Sequence, residues 1–124
     1  MKLIDIVNAK SVLEKLAVSN LPIKIAYRVS KILKKANIEY KDFDDTRISL
    51  IKKYGEVKED GSFEVFEDKK QQFSEDISLL LTEDVKGEFF KLDIDEFPSS
   101  LELTPSEMSF LEPFLKGNET DKED

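Results

Sequence analysis

One long helical pattern over residues 21–55 constrains this chain more than any other feature. Proline lacks a backbone donor, which costs nothing in a first helical turn, so the helix should begin at Leu21 or Pro22. Gly55 should cap its end, giving a rod of about 50 Å for about 33 residues. Apolar residues form a heptad seam broken only by Arg47, which predicts packing against other helices. The seam consists of Ala26, Val29, Leu33, Ala36, Tyr40, Phe43, Leu50 and Tyr54.

The first half of this helix carries a row of cations, Lys24, Arg28, Lys31 and Lys35, at helical spacing on one face. As a functional signal, such a row would bind phosphates or an acidic protein. The alternative is a solvated face opposite the apolar seam. A kink near Asn37, where the basic half ends, is the alternative to a straight rod.

The three tyrosines of the long helix lie at or beside the seam. Tyr27, Tyr40 and Tyr54 are therefore predicted to be core residues. No aromatic side chain is interleaved with the cations on their face of the helix for base stacking. This weakens the case for binding single-stranded nucleic acid.

The net charge of -8 hides a division along the chain. Residues 1–41 hold nine basic and three acidic side chains, a net charge of +6, whereas the remainder holds 10 basic and 24 acidic, a net charge of -14. Such asymmetry indicates a charged partner or head-to-tail self-association. The alternative is that the basic and acidic parts face each other within one fold.

The acidic part contains a candidate surface that could imitate the phosphate spacing of DNA, and an ordinary solvated surface is the alternative. Its residues are Glu75, Asp76, Glu83 and Asp84. Asp42, Asp44 and Asp45 could in principle bind a hard cation. Successive helical residues point about 100° apart, however, so no metal site is predicted.

The chain contains neither cysteine nor histidine. This excludes zinc sites of the usual kind, disulfides and Ser-His or Cys-His dyads, and no base partner is evident for a Ser or Thr nucleophile. We predict a non-enzymatic protein without catalytic residues, metal or cofactor. Residues 1–10 lack signal-peptide features and no apolar run approaches about 18 residues, so no membrane association is expected.

Both ends of the chain are predicted to contribute strands to one small sheet. Residues 2–7 are rich in β-branched side chains, and residues 88–97 alternate most clearly. Asn8 should cap a short helix over residues 9–18.

The second half of the long helix is predicted to have a helical partner. A hairpin over residues 56–66, with a type I′ turn at Asp60 and Gly61, reverses the chain. A helix over residues 68–85 should therefore run antiparallel to the long helix.

Arg47 interrupts the seam between these two helices. An unpaired buried guanidinium is costly, so Arg47 should reach solvent or pair with Asp44 or Asp76.

A capping box at Thr104 and Glu107, with Pro105 in the first turn, predicts a C-terminal helix that Gly117 stops. Residues 1–116 are interpreted as a single domain and residues 117–124 as an acidic tail. The predicted fold is α+β and mainly α. It comprises a long central helix packed antiparallel on a second helix, a β-hairpin, a two-stranded sheet from the terminal regions and a C-terminal helix.

The order of several motifs over residues 20–116 resembles one known family. These are LPIKIAYRVSKILKK, DDTRISLIKKYGE, the Asp-Gly hairpin and LTPSEMSFLEPFL. The family consists of short proteins of unknown function encoded by bacteriophages and prophages, mostly of Gram-positive bacteria. The resemblance implies a compact helical phage protein without established catalytic residues, located in the cytoplasm of the bacterial host or associated with the virion.

The leading hypothesis is a non-enzymatic phage protein that acts through protein-protein interaction, in virion assembly or as an accessory factor, with a phage or host partner or a second copy of itself. One alternative is an acidic inhibitor or DNA mimic directed at a host nucleic-acid-binding or defence protein. The other is nucleic-acid binding through the basic helix face.

Overall fold

The computed structural model describes residues 1–117, so the predicted acidic tail lies outside the described residues except for Gly117. The described chain forms four α-helices and one two-stranded antiparallel hairpin, and a mainly-α member of the α+β class is confirmed. The elements are α1 (Leu3–Ala17), α2 (Ile23–Tyr54), β1 (Gly55–Val57), β2 (Phe63–Val65), α3 (Lys70–Leu81) and α4 (Pro105–Leu111), with 3₁₀ turns at Glu67–Lys69, Ile94–Glu96 and Glu112–Phe114.

The N-terminal strand predicted for residues 2–7 is wrong, because α1 already begins at Leu3. The Asp5 carboxylate accepts a hydrogen bond from the backbone N–H of Lys2 at 3.1 Å, which fixes the first turn. Asn8 lies inside the helix instead of capping it. One buried stripe at helical spacing covers the whole element and includes Leu3, Ile6, Ala9, Val12, Leu13 and Leu16.

The long helix α2 is continuous, so its predicted extent is confirmed and it has no interruption at Asn37. Its buried stripe differs from the predicted seam. Ala26 is exposed, whereas Ile32 is buried although the seam omitted it. Because α1 folds back on the first half of α2 and α4 packs on α1, the side facing the core is set by these contacts rather than by a heptad. The buried residues are Ile25, Val29, Ile32, Ala36, Phe43 and Ile51.

The predicted hairpin is confirmed, but its predicted type I′ turn is wrong. A type I′ turn needs positive φ at both central residues, whereas only Gly61, at φ +86°, has it here. The Gly61 N–H donates to the Lys58 carbonyl at 2.9 Å, and the Lys58 N–H donates to the Ser62 carbonyl at 2.8 Å. Asp60 accepts from the Ser62 hydroxyl at 2.6 Å and from its backbone N–H, and these bonds lower the pKa of Asp60.

The helix predicted for residues 68–85 is shorter, because α3 begins at Lys70 and ends at Leu81. It packs on α2, where the Tyr54 hydroxyl donates to Asp76 at 2.7 Å. Beyond α3 the chain contacts its own N-terminus. The Leu3 N–H donates to the Glu83 carbonyl, and the Val85 N–H donates to the Met1 carbonyl, both at 2.8 Å.

The strand predicted for residues 88–97 and the terminal sheet it was to form are also wrong. Within the described residues, this segment makes one isolated parallel bridge, between Leu92 and Leu115. The Leu92 N–H donates to the Phe114 carbonyl at 2.7 Å, and the Leu92 carbonyl accepts from the Lys116 N–H at 2.8 Å. The predicted sheet cannot form, because the residues expected to supply its other strand form the first turn of α1.

The capping box of α4 is confirmed. The Thr104 hydroxyl accepts from the Glu107 N–H at 3.1 Å, and the Glu107 carboxylate accepts from the Thr104 N–H at 2.8 Å. The helix ends at Leu111, before the predicted stop at Gly117, and Pro113 lacks the amide needed to continue it. No helix within residues 1–117 is long and apolar enough to span a membrane.

Candidate interaction surface

The predicted row of cations lies on a side of α2 that the segment between α3 and α4 partly covers. Lys24 and Lys31 are exposed, as expected for a solvated face. Arg28 and Lys35 are partly buried, because residues 88–91 cross the helix beside them. The row therefore divides into two exposed and two anchored cations.

The two anchored cations bind this crossing segment through its backbone carbonyls. Lys35 Nζ donates to the carbonyl of Glu88 at 2.6 Å and lies 4.6 Å from the centroid of the Phe89 ring. Arg28 Nη1 donates to the carbonyl of Lys91 at 3.1 Å, and its guanidinium lies 5.7 Å from the centroid of Phe90. Charged donors form stronger hydrogen bonds than neutral ones, so these contacts hold the segment against α2.

Tyr27 is a surface residue, and its predicted place in the core is wrong. The side chain is 57% exposed and meets Phe90, itself 45% exposed, edge to face at a centroid distance of 6.2 Å. Lys31 Nζ lies 5.4 Å from the centroid of the Tyr27 ring. Aromatic rings are therefore interleaved with the cations, contrary to the prediction. Tyr40 and Tyr54 are partly buried, as seam residues should be.

These residues form a continuous surface around a shallow depression of about 330 Å³. Ile23, at the first turn of α2, borders the depression and is 86% exposed. We call this the cation-aromatic surface. Its members are Ile23, Lys24, Tyr27, Arg28, Lys31 and Phe90.

Within residues 1–117, no carboxylate lies within 4 Å of any cation in the row, although seven ion pairs form elsewhere. Apart from the local pair of Lys41 and Asp45, two pairs join residues 1–41 to the described part of the acidic remainder, residues 42–117. They are Lys2 with Asp84 and Lys15 with Glu107, both at 3.0 Å. Among the described residues, mutual neutralisation of the two parts is therefore limited to two surface contacts, and the row lies apart from both.

The predicted acidic surface is more fully partnered. Asp76 accepts from the Tyr54 hydroxyl, and Asp84 forms its ion pair with Lys2, which lowers the pKa of Asp84. Glu75 accepts a 3.3 Å hydrogen bond from Gln71. Glu75 and Asp76 lie on α3, whereas Glu83 and Asp84 follow its end.

Arg47 pairs with Asp44, one of the two carboxylates predicted as its partner, and Arg47 Nη2 lies 2.7 Å from Asp44 Oδ1. Its guanidinium also lies 5.6 Å from the centroid of the Phe63 ring. Asp45 pairs with Lys41 at 2.8 Å. Within residues 1–117 there is no group of three or more acidic side chains that could hold a metal ion.

Besides Tyr27, two members of the cation-aromatic surface were missed by sequence reasoning. Ile23 lies outside the apolar seam, and its position beside Pro22 was a signal only for the helix start. The alternating pattern of residues 88–97 places Phe90 on one face of a predicted strand, and only the crossing of residues 88–91 over α2 brings it to Tyr27.

No family model, curated protein or solved structure matches this chain.

Proposed function

We propose that this chain is a non-enzymatic protein of phage or prophage origin that acts by binding another protein through the cation-aromatic surface. Its role is either in virion assembly or as an accessory factor in the host cytoplasm. The observation that carries the proposal is the exposure of Ile23, Tyr27 and Phe90 next to cations that no carboxylate within residues 1–117 neutralises.

The composition of this surface supports a protein partner. Aromatic residues and arginine are enriched where protein interfaces bind most strongly, and charged rims steer association. The aromatic pair is also held in place, because Arg28 and Lys35 fix residues 88–91 on a long helix. Such preorganisation lowers the entropic cost of binding.

The test is affinity capture from phage-infected cells, using the wild type and the double variant Tyr27→Ala/Phe90→Ala. A partner of this surface should be retained by the wild type and lost from the double variant. The matched control is Leu79→Ala, which removes a side chain that is 68% exposed on α3. Retention by all three proteins would contradict the proposed surface, provided that circular dichroism shows all of them to be folded.

The identity of a captured partner then separates the two roles. A structural protein of the virion supports assembly, whereas a host protein supports an accessory role. Equal capture from infected and uninfected cells argues against a phage partner.

Nucleic-acid binding is the second candidate, because Tyr27 and Phe90 supply exposed rings beside Lys24 and Lys31. Bases stack on such rings, and cations hold the phosphates. The net charge of -14 in residues 42–124 opposes it, since a long polyanion would be repelled by most of the molecule. Fluorescence anisotropy with labelled dT12 decides: absence of binding at about 50 mM salt excludes this candidate.

The acidic-inhibitor hypothesis is less well supported, because Asp76 and Asp84 already have partners within the fold. It predicts salt-sensitive competition with DNA that charge reversal of Glu75 and Glu83 weakens. Unchanged competition by that variant would contradict it.

A further inference from the structure

We propose that the depression bordered by Ile23, Tyr27 and Phe90 receives one large apolar side chain of an acidic peptide segment, whose flanking carboxylates pair with Lys24, Arg28 and Lys31. This inference rests on the proposed function and specifies the chemistry of the partner.

The depression has the composition of a site for a single apolar anchor. Its volume of about 330 Å³ is at the lower end of the range for binding pockets, and it is open on one side. Ile23 and the edge-to-face pair of Tyr27 and Phe90 supply its apolar walls. One bulky side chain inserted between them would cover apolar surface that water now contacts.

The cations at the rim of the depression, Lys24, Arg28 and Lys31, favour negative charge on the segment that carries this anchor. Arg28 uses one N–H on the Lys91 carbonyl, and a guanidinium has five N–H donors, so the others remain for a carboxylate. Lys24 and Lys31 are exposed on either side of Tyr27 along the helix. Over these seven residues α2 rises about 10 Å, which is about the length of three residues of extended peptide. Acidic residues on both sides of the anchor therefore match the cations in spacing as well as sign.

The same geometry favours a short acidic peptide over a long polyanion. The three rim cations lie within two turns of α2, so a short segment can bind them all and, of the acidic remainder of the molecule, needs to approach only the residues around Phe90. A nucleic acid gains affinity by contacting many phosphates along a longer path.

The experiment measures fluorescence polarisation of a labelled peptide, Glu-Asp-Glu-Phe-Glu-Asp-Glu, titrated with the full chain. Two peptides serve as controls: one has Ser in place of Phe, and the other has Gln and Asn in place of the acidic residues. We expect each control to bind at least about tenfold more weakly than the parent peptide, because one lacks the anchor and the other lacks the charges. If the Ser peptide binds as tightly as the parent, the apolar anchor is wrong.

The variants test the two parts of the surface separately. Tyr27→Ala should weaken binding of the parent peptide about tenfold and leave its salt dependence unchanged. The double variant Lys24→Glu/Lys31→Glu should weaken binding and also flatten the decline in affinity between about 50 and about 500 mM salt. Lys52→Glu, a charge reversal at the far end of the same helix, is the matched control and should bind as the wild type does. Equal binding by the double variant and the wild type would overturn the proposal.

Three further outcomes would assign the surface to another occupant and overturn the proposal. Stronger binding of dT12 than of the parent peptide would assign it to nucleic acid. Truncation after Gly117 that raises peptide affinity about tenfold would assign it to residues 118–124. Loss of peptide binding as the protein self-associates, seen by sedimentation, would assign it to a second copy.

If the peptide does not bind while partner capture still depends on Tyr27 and Phe90, the acidic chemistry of the partner is refuted but the proposed function stands.

Discussion

Gly55 caps the end of α2, as predicted, and glycine is needed there for reasons of space. Its φ of -166° is extended backbone that any residue can adopt. A Cβ at this position, however, would lie 1.9 Å from the Glu64 carbonyl oxygen, because β1 begins at Gly55, directly after α2, and lies against β2. Local sequence indicates the helix end but cannot reveal that a neighbouring strand occupies the space.

We therefore expect Gly55→Ala to lower the free energy of unfolding by about 2 to 3 kcal/mol, since backbone must move to admit the methyl group. Gly61→Ala is the control. Gly61 has φ +86° but no atom within 4 Å of the added Cβ, so only the strain of the left-handed conformation applies, about 1 kcal/mol. Urea denaturation followed by circular dichroism measures both. A larger loss for Gly61→Ala would contradict the steric explanation.

Lys35 anchors the segment that presents Phe90. Replacing it by methionine keeps an unbranched apolar stem but removes the 2.6 Å hydrogen bond to the Glu88 carbonyl. We expect the amides of residues 88–92 to exchange about tenfold faster in Lys35→Met, because a charged hydrogen bond holds this backbone closed. Hydrogen exchange with mass spectrometry measures the change. Lys34→Met, at an exposed neighbouring position, should leave these rates unchanged, and equal rates in all three proteins would show that other contacts hold the segment.

At the scale of elements, the features carried by local chemistry were predictable. The capping box of Thr104 and Glu107 and the extent of α2 are examples, since proline, capping side chains and periodicity act within a few residues. The first turn of α1 could not be predicted in this way. Ile4 and Ile6 favour a strand locally, yet the buried stripe that continues from Leu3 to Leu16 makes the helix the arrangement that covers more apolar surface.

Residues 88–97 illustrate a second limit of sequence reasoning. Phe90, Leu92 and Ile94 alternate as one face of a strand, but Leu92 is fully buried whereas the other two are nearly half exposed. The backbone of Leu92 pairs with residues beside Leu115, far along the chain. An alternating pattern forms a strand only where a second strand is present to pair with it. Nothing in the local sequence identifies that second strand.

The contact between α1 and α4 should weaken in acid. Hydrogen bonding from Thr104 and the ion pair with Lys15 lower the pKa of Glu107 below its usual 4.5. A carboxyl group with a depressed folded-state pKa stabilises the fold above its unfolded pKa, and this stabilisation is lost as pH falls through the folded value. The contribution of Glu107 should therefore be present at neutral pH and absent in strong acid.

Glu107→Gln tests this prediction, because glutamine can still accept from the Thr104 N–H but carries no charge for Lys15. We expect the melting temperature of the variant to lie below that of the wild type at about pH 7 and to converge with it as the pH falls through the folded-state pKa of Glu107 into strong acid. Differential scanning calorimetry across this range measures the convergence. Lys15→Met removes the same ion pair from the other side but also the 3.0 Å hydrogen bond to the Glu102 carbonyl, so part of its deficit should persist in acid. A difference between Glu107→Gln and the wild type that persists at low pH would assign the effect to packing.

For the whole molecule, the division of charge was readable from the sequence, whereas the surface it creates was not. The sequence shows a net positive charge in residues 1–41, and helical spacing aligns Lys24 with Arg28 and Lys31. The aromatic half depends on a contact between Tyr27 and Phe90, which are far apart in sequence and meet only through tertiary packing. The sequence therefore predicted the row of cations at the candidate site, but it did not predict the apolar depression beside them.

Unpaired cations at this surface should reduce stability, and Lys31→Glu tests that expectation. Lys31 faces Arg28 one turn earlier and Lys35 one turn later, so it contributes like-charge repulsion on both sides. Glutamate would remove two repulsions and add two attractions, each of about 0.3 to 0.5 kcal/mol, and this sum of about 1.2 to 2 kcal/mol exceeds the about 0.5 to 1 kcal/mol of an exposed cation-π contact with Tyr27. We expect the free energy of unfolding to rise by about 0.5 to 1 kcal/mol, measured by urea denaturation at low salt.

The same substitution at the other end of α2 should have the opposite effect. Lys52 lies in the last turn, where a cation suits the helix dipole, so Lys52→Glu should lower the free energy of unfolding by about 0.5 kcal/mol. If Lys31 serves binding at a cost in stability, Lys31→Glu should be more stable than the wild type and should bind acidic peptide more weakly. Lys52→Glu should instead be less stable than the wild type and should bind the peptide equally well. A variant at Lys31 that loses stability would show that this lysine supports the fold, and the row of cations would then need no partner to account for it.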